Sequence, residues 1–442
     1  MSVPADKSVA VAGTNRSKKE GNQLPEACKG KHRCDGPAST RVARRAGFEQ
    51  ASYELTSATN HATIFMKILL VKPRWFVHDS HYRFLEGVKF PPLSLGILAA
   101  LSVGHDVRVV DRDWQGLPRD QRFDLVGITT TTFTSERAFR LADWAREKGA
   151  RVVLGGVHPS LLPDECLRHA DSVVVGEAEY VWPRVLKDAV SDDLEDVYRT
   201  GRPTDMDDVP MPARQLLPES SWFSCIQATR GCPNECNYCY LPSVPWGTFR
   251  KRSLDLVQEE VRSLSNRLVF FVDDNLFADR RYVLELCSMM QSVDVNWSVQ
   301  APTTIGQDED VLDALAESGC WHLQVGFQSF NRTSLQQAGV HHNRVENYKD
   351  LVDKLHERGI LVTGFFMFGF DSDTPGCFDG TGELIRHIDV EDAKLYILTP
   401  YPGTELYQKL KWHGPLVDVV RNAGYTTFSG VYHNISGLTV PL

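Results

Sequence analysis

Two successive series of short apolar runs, each run followed or preceded by a helix-length stretch, leave few folds open to this chain. The first series occupies 66–190. Its strand candidates are Lys67 to Val71, Asp106 to Val110, Asp124 to Thr129, Arg151 to Leu154 and Ser172 to Val175. Helical patterns at Leu93 to Leu101, Arg137 to Lys148 and Val181 to Asp188 fall between or after them. This βαβ rhythm predicts parallel strands joined by right-handed crossovers, a doubly wound, Rossmann-like α/β sheet with ligands beyond the carboxyl ends of its strands. The second series fills 221–410, with strands at Phe223 to Ala228, Leu268 to Val272, Trp297 to Gln300, His322 to Gly326, Leu361 to Phe368 and Ala393 to Leu398. Helices are expected at Ser253 to Leu264, Arg281 to Met290, Asp310 to Glu317 and Val345 to Arg358. These βα units predict a partial (β/α)6 barrel of TIM type, whose function gathers at the carboxyl ends of the strands.

A chain of 442 residues is long enough for two such domains, each with its own core. The stretch 191–220 carries Asp192-Asp-Leu-Glu-Asp196, Asp205-Met-Asp-Asp208 and four prolines, and reads as a linker. Residues 1–65 show no sustained period and read as a disordered or non-native extension, with Met66 as the expected true start. Cys28 and Cys34 lie there without a second pair to complete a metal knuckle. The segment 411–442 is short, without a clear period, and reads as a truncated covering region. A net charge of -9 argues against general nucleic-acid affinity, and no apolar run reaches the roughly 18 residues of a membrane span. The expected setting is the reducing cytoplasm, since nothing resembles a secretory leader and the ten cysteines form no disulfide framework.

Cys232, Cys236 and Cys239 lie in Thr229-Arg-Gly-Cys-Pro-Asn-Glu-Cys-Asn-Tyr-Cys-Tyr240, directly after the first strand of the second series. Three thiolates in one short loop suit an iron-sulfur cubane with one iron left open for a ligand. A zinc site would want a fourth protein ligand. The remaining candidates, Cys166, Cys225, Cys287, Cys320 and Cys377, stand singly in apolar stretches and read as small core residues. In the first series, Thr129-Thr-Thr-Thr132, Gly155-Gly-Val-His-Pro159 and Gly176-Glu-Ala-Glu179 follow successive strands. Hydroxyls and glycines there let backbone approach something large and flat, and no Gly-x-Gly-x-x-Gly favours a dinucleotide.

With these residues in hand the chain resembles the radical S-adenosylmethionine (SAM) enzymes that carry an amino-terminal cobalamin-binding domain. Its Cys-x-x-x-Cys-x-Tyr-Cys loop bears the likeness most specifically. Phe270-Phe-Val-Asp-Asp-Asn-Leu276, Gly326-Phe-Gln-Ser-Phe330, Gly364-Phe-Phe-Met-Phe-Gly-Phe-Asp371 and Leu398-Thr-Pro-Tyr-Pro-Gly-Thr404 resemble the subgroup containing hopanoid methylase and the anaerobic magnesium-protoporphyrin ester cyclase. The resemblance implies a [4Fe-4S] cluster on Cys232, Cys236 and Cys239, with SAM chelating the free iron. It implies SAM contacts at Tyr238, Asp273, Asp274, Gln300 and Gln328; relatives often carry Glu where Gln328 stands. It further implies cobalamin over Gly155, Gly156, His158 and Pro159, with its tail near Thr129, Thr130, Thr131, Gly176, Glu177 and Glu179. His158 beside two glycines reads as a hydrogen-bonding or shape residue rather than a cobalt ligand; His81, in Asp79-Ser-His-Tyr-Arg-Phe84, is a second axial candidate.

The activity so implied is reductive cleavage of SAM followed by methylation of an unactivated carbon of a small molecule, with flavodoxin or ferredoxin as reductant. The same cofactors also serve radical oxidation, cyclisation or rearrangement. From another class, a non-catalytic cobalamin-binding sensor or scaffold would share the first domain but has no use for an intact three-cysteine loop.

Overall fold

A computed structural model describes residues 66–73, 90–111, 116–217, 223–374 and 376–410. The expectations made for 1–65, for His81 and for 411–442 lie outside the described residues. Among the described residues two six-stranded parallel sheets follow one another along the chain.

The first sheet comprises β1 (Lys67–Lys72), β2 (Asp106–Asp111), β3 (Leu125–Thr129), β4 (Arg151–Gly155), β5 (Ser172–Val175) and β6 (Val197–Arg199), in the order β2-β1-β3-β4-β5-β6. Its helices are α1 (Leu93–Leu101), α2 (Ser135–Glu147), the short α3 (Val157–Leu161) and α4 (Pro163–Cys166), and α5 (Trp182–Val190). Four consecutive residues of β1 are buried, as a parallel strand covered on both faces requires. Leu69 and Val71 pack with Ala138, Leu141 and Ala145 of α2, whereas Ile68 and Leu70 pack with Leu95 of α1 and Trp182 and Val185 of α5. The strand order turns back between β1 and β3, so the crevice of the sheet opens there.

One strand falls where a linker was expected. β6 pairs with β5 through Val173–Val197 and its neighbours, and Tyr198 is buried with its hydroxyl donating to Asp188 Oδ2 at 2.7 Å. A three-residue strand beside an acidic run shows too little alternation to be read from the sequence. Further along, 213–214 touch both domains: the Ala213 N–H donates to the Gly96 carbonyl of α1 at 2.9 Å. Arg214 donates to Glu260 Oε1 at 2.5 Å and to the Cys225 carbonyl at 2.7 Å, and Glu260 also holds Arg252.

The second sheet begins with β7 (Ser224–Ile226). A two-residue antiparallel ladder follows, β8 (Thr229–Arg230) with β9 (Arg250–Lys251), and then β10 (Leu268–Phe271), β11 (Asn296–Ala301), β12 (Cys320–Gln328), β13 (Leu361–Phe368) and β14 (Asp392–Ile397). The order β14-β13-β12-β11-β10-β7 runs in sequence without closure, which makes a partial barrel. Its helices are α6 (Leu254–Arg262), α7 (Arg280–Met290), α8 (Glu309–Glu317), α9 (Arg332–Gln337), α10 (Tyr348–Glu357), α11 (Cys377–Ile388) and α12 (Glu405–Leu410).

Alternation along the strands divides two faces. Trp297, Val299, Leu323, Val325, Val362 and Phe366 belong to the core shared with the helices. The opposite face carries Ser298, Gln300, His322, Gln324, Thr363 and Phe365. His322 joins three strands there, with Nδ1 2.8 Å from Ser298 Oγ and Nε2 2.9 Å from Thr363 Oγ1. Burial lowers its pKa and keeps the ring neutral. Cys166, Cys225, Cys287 and Cys320 are buried as expected of core residues, while Cys377, on α11, is partly exposed.

Candidate active site between the first sheet and the cysteine loop

The cysteines lie within a loop, 231–249, whose neck is the β8–β9 ladder. Gly231 opens it with φ +87°; a Cβ there would lie 2.3 Å from the Thr248 carbonyl oxygen, so only glycine lets the two ends of the loop meet. The end of β10 fixes that neck. Asp274 Oδ2 accepts the Gly231 N–H at 2.8 Å. Asp273, fully buried, accepts from the Ala228 N–H at 3.2 Å, from the Thr229 hydroxyl at 2.6 Å and from the Thr229 N–H. Burial pushes the Asp273 carboxyl up to about 7 against these hydrogen bonds. Further along the loop, the Asn237 N–H and side chain donate to Ala338 O at 3.0 Å and Gln337 O at 2.7 Å.

The three thiols are partly exposed on this one loop. Cys232 Sγ accepts from Asn275 Nδ2 at 3.4 Å and from the Asn234 N–H at 3.5 Å, contacts that fix where the sulfur points. Burial raises the Cys239 thiol to about 12 and raises Cys236 as well, so in metal-free protein these sulfurs hold protons that iron must displace. Among the described residues no group of three His, Cys, Asp or Glu side chains is arranged around a single metal ion. A cubane presents a separate iron to each cysteine, and this donor set fits it.

On the other side of the loop lies a cavity of about 540 Å³ between it and the carboxyl ends of β3, β4 and β5. Thr129, Thr130, Thr131, Gly155, Gly156, Gly176, Glu177 and Glu179 all line it. Gly156 has φ +103°, and a Cβ on it would come within 2.7 Å of the Thr130 carbonyl oxygen, so the strand-end turn needs glycine. The Ser160 hydroxyl braces the neighbouring turns, donating to Gly156 O at 2.7 Å and accepting the Gly176 N–H at 2.8 Å. A corrinoid fits this cradle of glycines and hydroxyls. The indole N–H of Trp246, which lines the same cavity, is buried without a hydrogen-bond partner.

Several expected residues are placed differently. His158 and Pro159 are buried and do not line the cavity; His158 Nδ1 lies 3.3 Å from Thr132 Oγ1 and Nε2 lies 3.5 Å from Glu165 Oε2. The carboxylates of Glu177 and Glu179 are taken up by arginines. Glu177 pairs with Arg250 at 2.5 Å and Arg230 at 3.2 Å, and Glu179 with Arg230 at 2.8 Å. Burial alone would raise the Glu177 carboxyl, but Arg250, Arg230 and the Thr204 N–H outweigh it and hold it at about 2. Asp273 serves the loop neck, as described, and Asp274 lines the 540 Å³ cavity. Tyr238 packs against Leu335, Ala338, Val340 and Phe370 beneath the loop. Gln300 is exposed on the inner face of β11. Gln328 stands in a bulge with φ +66° and lines a second cavity of about 360 Å³ with Phe330 and Asp373.

Arg230, Arg250 and Trp246 were not found from the sequence. Arg230 has a local cue in its place two residues before Cys232; Arg250 and Trp246 have none, because their roles depend on a loop closing on itself.

A doubly wound sheet delivering a large cavity to a three-thiol loop at a barrel mouth defines a class of two-cofactor α/β enzymes. The comparisons agree. Residues 226–385 match the Radical SAM superfamily and residues 88–186 the B12 binding domain. The chain is 32% identical over 360 residues to the bacteriochlorophyllide d C-12(1)-methyltransferase of Chlorobaculum tepidum, covering 78% of each protein. It is 25% identical over 384 residues to the hopanoid C-2 methylase of Rhodopseudomonas palustris, covering 79% of this chain and 71% of that one. The solved structure of the radical SAM methyltransferase TsrM from Kitasatospora setae shares the fold, with a TM-score of 0.61, 18% identity, and coverage of 77% of this chain and 75% of that one. This chain belongs to the cobalamin-dependent radical SAM enzymes. It is a methyltransferase whose cofactors are a [4Fe-4S] cluster, SAM and cobalamin.

Proposed function

We propose that the chain methylates an unactivated carbon of an apolar, ring-bearing small molecule held at the barrel mouth. One observation carries this reading: Gly231, Tyr240, Leu241 and Gly247 of the cysteine loop are also walls of the 540 Å³ cavity. A substrate at that wall meets both cofactors. When bound, these groups supply one-electron cleavage of the sulfonium and a carrier for the methyl group. The chain's own residues bind, orient and exclude water.

Cys232, Cys236 and Cys239 would hold the cluster. Gln300 and Gln328, at strand ends on the barrel side, are suited to polar contacts with SAM, although an amide at Gln328 cannot titrate as the Glu of relatives does. Thr129, Thr130, Thr131, Gly155, Gly156 and Gly176 would meet the corrinoid through backbone and hydroxyl groups. His158, turned toward Thr132 and Glu165, would shape the β4 turn. Phe365 and Tyr396, 5.7 Å apart edge to face on the inner side of the barrel, support an apolar ring system as substrate. The Chlorobaculum relative named for bacteriochlorophyllide d makes a chlorin-type tetrapyrrole the first substrate to try.

A one-electron protein donor such as flavodoxin or ferredoxin would feed the cluster, in a cytoplasmic setting without nucleic acid. No helix among the described residues is long and apolar enough to cross a membrane. The test is anaerobic incubation of reconstituted enzyme with reductant, SAM carrying a deuterated methyl group, and candidate tetrapyrroles. Product gaining one labelled methyl group supports the reading. Substrate oxidised or cyclised without label would replace it with the rival radical outcome.

A further inference from the structure

We propose that Asn275 is a positioning residue that holds an N–H donor on the sulfur of Cys232 and thereby raises the reduction potential of the cluster held there. This rests on the assignment of Cys232 as a cluster ligand and goes beyond the methylation reading. The observation that carries it is a row of three consecutive side chains after β10, each gripping the root of the cysteine loop one step further along. Asp273 accepts from the Ala228 N–H at 3.2 Å and from the Thr229 hydroxyl at 2.6 Å. Asp274 accepts the Gly231 N–H at 2.8 Å. Asn275 Nδ2 then donates to Cys232 Sγ at 3.4 Å.

The chemistry of the row changes where its partner changes. Its first two members are carboxylates, acceptors that meet N–H and O–H groups, whereas the third is an amide, which can donate, and it meets the sulfur. A third carboxylate would set like charge against a metal-bound thiolate. Packing does not account for the amide. Asn275 is only 9% exposed and its Oδ1 is buried without a hydrogen-bond partner, although buried polar atoms are ordinarily paired. A leucine of similar volume would avoid that unpaired oxygen. What leucine lacks is the donor. The turn keeps the donor in place, since the Asn275 carbonyl accepts the Ala278 N–H at 3.3 Å and the next side chain, Leu276, is fully buried. Donors on cluster sulfurs favour the reduced form, which carries the extra negative charge, and so raise its potential. The Asn234 N–H, 3.5 Å from the same sulfur, acts in the same sense.

The test is an EPR-monitored redox titration of anaerobically reconstituted protein without substrate, so the result does not depend on which product the enzyme forms. Asn275→Leu lowers the ratio of reduced to oxidised cluster at the wild-type midpoint by about tenfold, a shift of about 59 mV to more negative potential for a one-electron couple. Its iron content and melting temperature stay at or above those of the wild type, because the substitution also removes an unpaired buried oxygen. A merely structural role would instead lower the melting temperature and leave the midpoint where it was. In wild-type protein whose asparagine side-chain amides carry ¹⁵N, the reduced cluster shows a ¹⁵N hyperfine coupling, which decides the matter where the variant loses its cluster. Absence of that coupling, or an unchanged midpoint in iron-replete Asn275→Leu, overturns the role of Asn275 alone. Wild-type iron content in Cys232→Ala overturns the ligand assignment beneath it.

Discussion

Arg230 donates from Nη2 to Glu179 Oε1 at 2.8 Å, fastening the loop after β5 to the root of the cysteine loop two residues before Cys232. The guanidinium also reaches Glu177 at 3.2 Å and Gln227 Oε1 at 3.1 Å, and both carboxylates are largely buried. Two sites that must cooperate are therefore joined by charge at their common wall.

Replacing Arg230 by Met strips Glu179 of this partner and leaves Glu177 with Arg250 and the Thr204 N–H. Losing one member of a buried pair costs about 3–5 kcal/mol, so the metal-free variant melts well below the wild type by differential scanning calorimetry. In reconstituted enzyme the ratio of 5'-deoxyadenosine to methylated product rises, because the two sites no longer keep register. A variant with wild-type melting and wild-type product ratio would remove the join from the account.

Glu177 makes the same join sensitive to acid. Its carboxyl is held at about 2 in the folded protein against an ordinary 4.5, so the unfolded chain binds more protons between those values. Stability is present above about pH 4.5 and is lost as the pH falls through the window, by up to roughly 3 kcal/mol. Urea unfolding of metal-free protein at several acid pH values shows this slope, and Glu177→Gln flattens it while lowering stability near neutral pH.

Alanine at Cys232, Cys236 or Cys239 abolishes the visible absorbance and iron content of anaerobically reconstituted protein, and no 5'-deoxyadenosine forms. Alanine at Cys225, buried beside Phe223 and Phe270, costs about 1–2 kcal/mol of stability and leaves the iron in place. Iron retained in any of the three loop variants at wild-type stoichiometry contradicts the ligand assignment.

Two glycine substitutions separate the cofactors. Gly231→Ala drives a Cβ to within 2.3 Å of the Thr248 carbonyl oxygen and prevents cluster assembly. Gly156→Ala meets the Thr130 carbonyl oxygen at 2.7 Å and lowers hydroxocobalamin affinity by about tenfold or more while iron loading persists. Iron analysis and equilibrium dialysis on both variants read the two effects independently.

The sheets were legible because buried parallel strands such as β1 and β13 are apolar runs of strand length set between helical periods. β6 was not, since Val197–Arg199 borrows its definition from pairing with β5 rather than from its own alternation. The cysteines announced themselves by spacing. The glycines at 155, 156 and 176 announced themselves by following strands. Glu177 and Glu179 line the same cavity as the glycines with which the sequence grouped them, but sequence holds no information on which neighbour claims a carboxylate. Arg230 and Arg250 come from two sides of a hairpin and meet their partners only in three dimensions. Asp273 and Asp274 were both expected to contact SAM; consecutive residues at a strand end point opposite ways, and Asp273 is turned in toward Thr229.

The hairpin neck at Thr229–Arg230 and Arg250–Lys251 puts the sulfur donors and Trp246 on one tether. Any lengthening or shortening of this tether would therefore move the three thiols and the cavity wall as one piece.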